Sequence, residues 1–223
     1  MRLGNTTTLA RGVSSVSAGT TSDRLVFIKK VYSLLALSMV TAAIGAYLGT
    51  GPLLRLVANN MILFFILQIG LIFFASFAAR KPGLNMVALF SFTTFSGLTL
   101  GPLLYRFGPT IAAEAFALTA ITFATLTLYV IFSKKDFSFM SGFLMTGLIV
   151  VVLAGIINIF MQNTMMHMVM SGASVLLFSG FILYDTSNIM RYYGTDEHVS
   201  ATLALYLDVL NLFVALLSIL GIM

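Results

Sequence analysis

Long, uninterrupted apolar runs restrict what this 223-residue chain can fold into. Seven runs are each about 18 residues or longer, which is enough for a helix to cross roughly 30 Å of hydrocarbon. They span residues 31–50, 61–79, 84–105, 110–132, 138–160, 165–189 and 200–223. Apolar and polar residues do not alternate along these runs, as the strands of a membrane barrel would require. The pattern predicts an all-α, polytopic membrane protein with seven transmembrane helices.

The hydrophilic remainder is small, because hydrophobic residues make up 59% of the chain and charged residues only 9%. Residues 1–23 are rich in Ser, Thr and Gly without apolar periodicity, which predicts a disordered cytoplasmic tail. Residues 24–223 then form one seven-helix transmembrane domain. The net charge of +5 comes from residues that flank the apolar runs, and no basic stripe indicates nucleic-acid binding. The expected surroundings are a lipid bilayer.

The distribution of basic residues predicts the orientation in that bilayer. Ten of the 12 Lys and Arg residues precede the first run or follow the second, fourth and sixth runs, whereas Arg55 and Arg106 lie in the alternate loops. By the positive-inside rule the N-terminus is cytoplasmic, and seven spans place the C-terminus outside. Arg2 and Arg11 among Ser and Thr also suggest a mitochondrial transit peptide, which keeps the mitochondrial inner membrane as an alternative location.

Two aspartates interrupt the last two apolar runs: Asp185 in "ILYDTSNIM" and Asp208 in "ALYLDVLNLF". The sixth helix runs toward the cytoplasm, so Asp185 lies about one turn from its inner end. The seventh helix starts on that side, and Asp208 lies roughly two turns in. Antiparallel helices joined by a short polar loop therefore bring both carboxylates to the same half of the bilayer. Intramembrane carboxylates are costly, which makes this pair a functional hypothesis.

The chemistry of a carboxylate pair indicates what such a site does. Two close carboxylates in a low-dielectric interior do not both ionise cheaply, so they are expected to share a proton and titrate as one unit. The pair is a candidate pH sensor, and its oxygen atoms suit a hard cation such as calcium on an ion pathway. The alternative interpretation is structural, with Asp185 reaching water and Asp208 bonding a neighbour.

Two further charged residues are candidates for the same pathway. Arg80 ends the second span at the cytoplasmic side and is a candidate latch partner of the aspartates. Glu114, near the outer end of the fourth span, is a candidate outer cation site. It is equally well explained as an interfacial residue or as an acid favoured in the first turn of a helix.

Motifs for enzymatic chemistry are missing from the sequence. The chain has no Cys, which excludes disulfides, thiolate metal sites and a cysteine nucleophile. It also has no serine triad, phosphate-binding loop or zinc-protease motif. We predict no catalytic residue, no bound metal and no cofactor, and expect calcium only as a transported ion.

The segments "FSGFILYDTSNIM", "LALYLDVLNLF" and "FSGLTLGPLL" resemble the Bax inhibitor-1 (transmembrane Bax inhibitor motif) family, in its bacterial branch. The resemblance extends from about residue 29 to the C-terminus. It implies six helices around a central seventh, a bacterial inner-membrane location and a pH-sensitive calcium leak governed by an aspartate dyad that matches Asp185 and Asp208. Family members also place an arginine of the second helix against the dyad. Arg80 is the matching residue type, although an ungapped alignment from "SGLTLGPL" puts Ala79 at that position.

Three alternative functions remain open at this stage. Some members of the resembled family modulate a membrane protease, so such a protease is a candidate partner. Intramembrane aspartyl proteases also carry a Tyr-Asp on the sixth helix and an Asp on the seventh, but Asp208 lacks the Gly-x-Gly-Asp pattern and no Pro-Ala-Leu follows. A secondary transporter would need discontinuous helices at mid-membrane, which the glycines do not clearly mark.

Overall fold

The computed structural model describes residues 21–222, and within that range the chain is helical without a strand. Six of the helices are long and apolar enough to cross a membrane. A single 3₁₀ turn, Ser138–Met140, precedes the fifth helix. The helices are α1 (Thr21–Thr50), α2 (Leu54–Asn59), α3 (Met61–Ala78), α4 (Leu84–Ser133), α5 (Ser141–Met161), α6 (Thr164–Arg191) and α7 (His198–Ile222).

The predicted disordered tail lies almost entirely outside the described residues. Its last three positions, 21–23, are an exception, because they form the first turn of α1. Asp23 lies in that first turn, where a negative charge interacts favourably with the helix dipole. Helix α1 therefore begins within the last residues of the predicted tail.

Helix α4 contains 50 residues and folds back on itself at Gly108. A straight helix of that length would measure about 75 Å, more than twice the hydrocarbon thickness. Gly108 instead adopts φ 84° and ψ 166°, a conformation open to glycine because it has no Cβ, and Pro109 follows it. Both arms of α4, residues 84–107 and 109–133, line one cavity, so they lie side by side. The two arms supply the predicted third and fourth spans, and the seven-span fold is confirmed.

Helix α7 is the central element of the bundle. In the most apolar 18-residue stretch of α7, 44% of the residues are buried inside the protein, against 28% in that of α6 and 6% in that of α5. It packs against α1, α3, α4 and α6 and fills the core with large side chains such as Tyr206, Leu212 and Leu217. The predicted central position of the seventh helix is thereby confirmed.

Two pairs of glycines bring α1 and the first arm of α4 close together. Gly45 and Gly49 on α1 face Gly97 and Gly101 on α4, each pair spaced four residues apart. A Cβ built on Gly97 would lie 1.9 Å from the carbonyl oxygen of Ala42, and one on Gly45 would lie 1.9 Å from that of Thr94. Small residues at this spacing let membrane helices approach backbone to backbone.

Several charged helix ends meet on one side of the molecule, which we call the basic face. It includes the start of α1, the end of α3, the end of α4 and the loop between α6 and α7. Arg24 donates to the carbonyl oxygens of Met190 and Tyr193, and Arg191 donates to that of Lys134. These contacts join the very segments that the charge distribution assigned to one side of the membrane.

Candidate functional site

The structure brings Asp185 and Asp208 together at the interface of α6 and α7. Their carboxyl groups are hydrogen-bond partners, and the side chains are only 8% and 5% exposed. A hydrogen bond between two carboxyl groups requires one of them to carry the proton that it donates. The arrangement therefore has the geometry of an acid pair with a shared proton, and we call it the dyad.

The partners of the two aspartates differ. Asn188, three residues after Asp185 and so on the same face of α6, is a second hydrogen-bond partner of Asp185. Oδ2 of Asp208, by contrast, is buried without a hydrogen-bond partner among the described residues. Asp208 depends on Asp185 for its polar contacts, so we expect a change at either position to alter the whole pair.

A loop, residues 192–197, connects α6 to α7 on the basic face, and its Tyr193 lies near enough to Asp185 and Asp208 to interact with them. Burial raises the pKa of the Tyr193 hydroxyl, and the nearby charges of Asp185 and Glu197 raise it further. Tyr193 is therefore a neutral hydroxyl at physiological pH. The guanidinium of Arg24 holds the loop by donating to the backbone of Tyr193 and of Met190, the latter at 3.1 Å. The start of α1 thus fixes the polypeptide above the dyad.

Arg80 does not contact the dyad as the sequence had suggested. It follows α3 at the basic face, where its side chain is 79% exposed, and its Nη2 forms an ion pair of 2.7 Å with Oε1 of Glu197. Glu197 also accepts a hydrogen bond from the backbone N–H of Gly194 through its other oxygen. The physical reason is reach and solvation: a long, solvated side chain pairs with the acid of the nearby loop instead of entering the bundle.

Glu114 lies six residues after the turn at Gly108, on the second arm of α4. Its side chain is exposed, and it does not line the cavity that the two arms of α4 enclose. The structure therefore leaves Glu114 on the outer surface of the bundle, far along the chain from the dyad. Its candidate role as an outer cation site stays a prediction.

A second polar cluster on the basic face was not identified from the sequence. Asp136, in the loop after α4, accepts hydrogen bonds from the hydroxyl of Tyr192, the backbone N–H of Ser138 and the hydroxyl of Ser187. The bond from Tyr192 is the main reason that the pKa of Asp136 is lowered to about 2. Ser187 lies two residues after Asp185, so this cluster, the Asp136 clasp, ties the loop to the helix that carries the dyad.

An apolar cavity of about 440 Å³ lies on the other side of α7 from α6. Its walls come from α1, both arms of α4 and α7, and include the aromatic side chains of Tyr32, Phe116, Phe123 and Phe213. Tyr206, two residues before Asp208, also lines it. Among the described residues no group of three or more His, Cys, Asp and Glu side chains is placed to hold a metal ion.

Comparison with known proteins gives matches over almost the whole chain. A family model described as "Inhibitor of apoptosis-promoting Bax1" matches residues 24–223. A membrane protein of Vibrio cholerae is 44% identical over 205 residues, which cover 88% of this chain and 89% of the relative. A protein of Escherichia coli described as modulator of FtsH protease YccA is 38% identical over 198 residues, covering 87% of this chain and 89% of the relative. A Golgi anti-apoptotic protein of vaccinia virus is 34% identical over 212 residues, covering 93% and 90%.

Proposed function

The chain belongs to the family of inhibitors of apoptosis-promoting Bax1, and on that premise we propose that it is a pH-sensitive leak channel for calcium and similar cations, gated by Asp185 and Asp208. The observation that carries this proposal is the contact of two buried carboxyl groups across the α6–α7 interface. An ionisable pair inside a membrane bundle is rarely retained without a role in ion passage or proton relay.

The shared proton is the latch in this mechanism. With one proton present, the dyad joins α6 to α7 by a charge-assisted hydrogen bond, which is shorter and stronger than a neutral one. Loss of that proton leaves two anions in a low-dielectric interior, where their repulsion is large. Separation of the helices, entry of water or arrival of a cation relieves the repulsion, and each of these opens a path along α7.

The surroundings of the dyad support one direction of gating. The groups that act on the two carboxyls are each other and the neutral amide of Asn188, while Arg80 is paired with Glu197. Among the described residues Arg80 pairs with Glu197 and Arg24 donates to backbone carbonyls, so neither arginine is bonded to the carboxyls in a way that would hold a doubly ionised dyad closed. We expect the closed state at low pH and a cation flux that rises with pH.

Calcium is the cation that the exposed oxygens of an ionised dyad would suit, because hard cations prefer carboxylate ligands. We place the protein in the bacterial inner membrane with its basic face toward the cytoplasm. Ten of the 12 Lys and Arg residues support that orientation, and the Vibrio and Escherichia relatives support the location.

Calcium flux into proteoliposomes, measured across pH, tests this function. Asp185→Asn and Asp208→Asn should each flatten the pH response, and the double variant should add little because the two residues act as one unit. Asp196→Asn, which removes an exposed carboxylate of the nearby loop, is the matched control and should keep the wild-type response. If each dyad variant also kept the wild-type response, the aspartates would not be the sensor.

The same preparation separates the channel from a protease. A labelled transmembrane peptide should remain intact in the presence of the protein, whereas an intramembrane aspartyl protease would cleave it and lose that activity in both dyad variants. Peptide cleavage without calcium flux would show that the dyad catalyses proteolysis and does not gate a leak.

Modulation of a membrane-bound protease is a second candidate function. It is favoured by the similarity to the Escherichia coli protein whose description names the FtsH protease. The exposed apolar face of α5, of which only 6% of the most apolar window is buried, offers surface for a membrane partner. The degradation rate of an FtsH substrate in membranes with and without this protein tests the proposal, and equal rates would refute it.

A further inference from the structure

Two cavities adjoin toward the end of the bundle opposite the basic face. The apolar cavity of about 440 Å³ is followed by a second one of about 460 Å³, which we call the interfacial cavity. The interfacial cavity is lined by the end of α1 and the turn of α4, through Ala46, Tyr47, Thr50, Leu104, Tyr105, Gly108, Pro109 and Ala112. Ala46, Leu104 and Ala112 line both cavities, so the two are neighbours along one groove. A ligand with an apolar and a polar part is therefore able to occupy them together.

The apolar cavity opens sideways between α1 and the second arm of α4. Residues of both helices line it and are also exposed at the surface, namely Ala36, Ala43, Phe116 and Ala120. These positions belong to the membrane-spanning stretches of the two helices. The opening therefore faces the hydrocarbon chains of the bilayer rather than water.

The apolar cavity also has the dimensions of a site for a lipid chain. Its volume lies within the range of about 300–1,000 Å³ that is common for ligand sites. It follows the second arm of α4 from Ala112 to Phe123, a rise of about 16 Å at 1.5 Å per residue. One leaflet supplies half of the roughly 30 Å of hydrocarbon, so an acyl chain of that leaflet extends over a similar distance.

The lining of the apolar cavity does not suit water. Of its three hydroxyl side chains, Thr119 donates to the carbonyl oxygen of Ala115, and Tyr206 bonds to the hydroxyl of Ser96. The third hydroxyl, that of Tyr32, interacts with threonines of α4 and α6. Cavities without free polar partners stay dry and take apolar ligands instead.

The interfacial cavity, by contrast, has the groups that suit a lipid headgroup. Tyr47 and Tyr105 are 75% and 66% exposed, and tyrosine is enriched at the level where hydrocarbon meets headgroups. Arg106 directly follows Tyr105, and Arg55 lies in the short helix α2, which packs against α1 and α4. Both arginines are exposed at this end, whereas Glu114 is the one acid that the described residues place there. The balance of charge favours an anionic group such as a phosphate.

We propose that the two cavities form a binding site for one anionic phospholipid. Its acyl chain fills the apolar cavity, and its phosphate group lies at the interfacial cavity on the side of Arg106. The chain supplies the dispersion contacts that the walls of an empty cavity would lose. The binding of lipid does not rest on the proposed leak function.

The absence of tryptophan from the chain makes a direct test possible, because a single introduced tryptophan is then the only one. Phe213→Trp on α7 and Phe123→Trp on the second arm of α4 each place this reporter in the wall of the apolar cavity. Phe178→Trp is the control, because Phe178 is 9% exposed and lines neither cavity. The full-length variants are reconstituted in phosphatidylglycerol vesicles with or without brominated acyl chains, since bromine quenches tryptophan fluorescence on contact.

An acyl chain in the cavity should quench both cavity reporters by at least about half, because it lies in van der Waals contact with them. Phe178→Trp should stay nearly unchanged. Ala112→Phe, which fills the junction of the two cavities, should restore the fluorescence of Phe213→Trp. Ala113→Phe is its matched control, because Ala113 is exposed and lines neither cavity. Cavity reporters that are quenched no more than the control would overturn the site, and one folded reporter is enough to decide.

Mass spectrometry of the intact protein, released from detergent micelles after reconstitution with phosphatidylglycerol, identifies the ligand. The wild type and Ala113→Phe should retain one phospholipid per chain, whereas Ala112→Phe and Arg106→Gln should retain it severalfold less. A bound fatty acid in place of the phospholipid would overturn the proposal. Quenching without any retained lipid would also overturn it, since the cavity would then only admit bulk lipid. Full retention in Arg106→Gln would refute the contact with the phosphate group.

Discussion

The contact between α1 and the first arm of α4 gives the sharpest prediction of stability. In Gly97→Ala the new Cβ would lie 1.9 Å from the carbonyl oxygen of Ala42, with further backbone atoms of Ala42 at 2.7 and 2.9 Å. Because the obstacle is backbone, no side chain can rotate away, and the two helices must separate by about 1 Å or more in a close-packed interior. Overpacking typically costs about 1–3 kcal/mol. We expect Gly97→Ala to fall at the upper end, near 3 kcal/mol.

Gly70→Ala is the matched control for the intrinsic effect of the substitution. Gly70 lies inside α3, and nothing stands within 4 Å of a Cβ built there. Alanine is the better helix former, so this variant should gain roughly 0.5–1 kcal/mol. The two glycine-to-alanine changes are thus expected to move the free energy of unfolding in opposite directions.

Unfolding in detergent micelles, followed by circular dichroism as a denaturing detergent is added, measures both variants. The double variant Gly45→Ala, Gly97→Ala should cost less than the sum of its parts, because one Cβ has already separated the helices. If Gly97→Ala were as stable as Gly70→Ala, the backbone contact would not exist in the membrane-embedded fold. Strict additivity with Gly45→Ala would contradict the idea of a single shared interface.

Three other predictions concern the basic face. Arg80→Ala should leave the pH profile of calcium flux unshifted, because the partner of Arg80 is Glu197 and not the dyad. A shifted profile would indicate that Arg80 acts on the dyad as a latch partner. Double-mutant analysis of Arg80→Ala and Glu197→Gln should give a coupling of at most about 1 kcal/mol that weakens with salt, as for exposed ion pairs, and a larger value would refute this. Several interactions, the bond from Tyr192 foremost, lower the pKa of Asp136 to about 2, so the stabilisation that this carboxylate provides is complete above about pH 4 and is lost as the pH falls toward 2. Thermal unfolding of Asp136→Asn and wild type should therefore differ at pH 6 and converge near pH 2, and a difference that varies between pH 5 and 8 would contradict the assignment.

The sequence predicted the features that follow from burial in a bilayer. The apolar runs predicted the spans and their number, because a helix satisfies all backbone hydrogen bonds of a segment within the hydrocarbon region. The contact of Asp185 with Asp208 followed from sidedness and from the antiparallel course of the last two helices. Apolar run lengths and the distribution of charged residues along the sequence were sufficient to predict these features.

The sequence did not predict contacts that depend on the conformation of loops. Arg80 is a long side chain at a helix end, and its partner depends on where the loop before α7 places Glu197. Asp136 gave no signal beyond an acid in a short loop, although the serine two residues later is typical of an aspartate that bonds a nearby backbone N–H. The glycine pairs of α1 and α4 were readable, since small residues four apart are a known packing signal in membrane helices.

The fold-back of α4 at Gly108 adds one membrane crossing, and it therefore determines on which side of the membrane each later segment lies. Each crossing of the bilayer reverses the direction of the chain, so a chain with one crossing fewer delivers all later segments to the other compartment. If residues 84–133 crossed the bilayer as one span, α6 and α7 would be inverted relative to α1, with the dyad on the opposite side of the membrane from Arg24. A turn made by Gly108 alone also leaves no hydrophilic loop to thread across the bilayer, so the two arms must enter the membrane together as a hairpin. One glycine thus sets the side of the membrane on which the carboxyl pair lies.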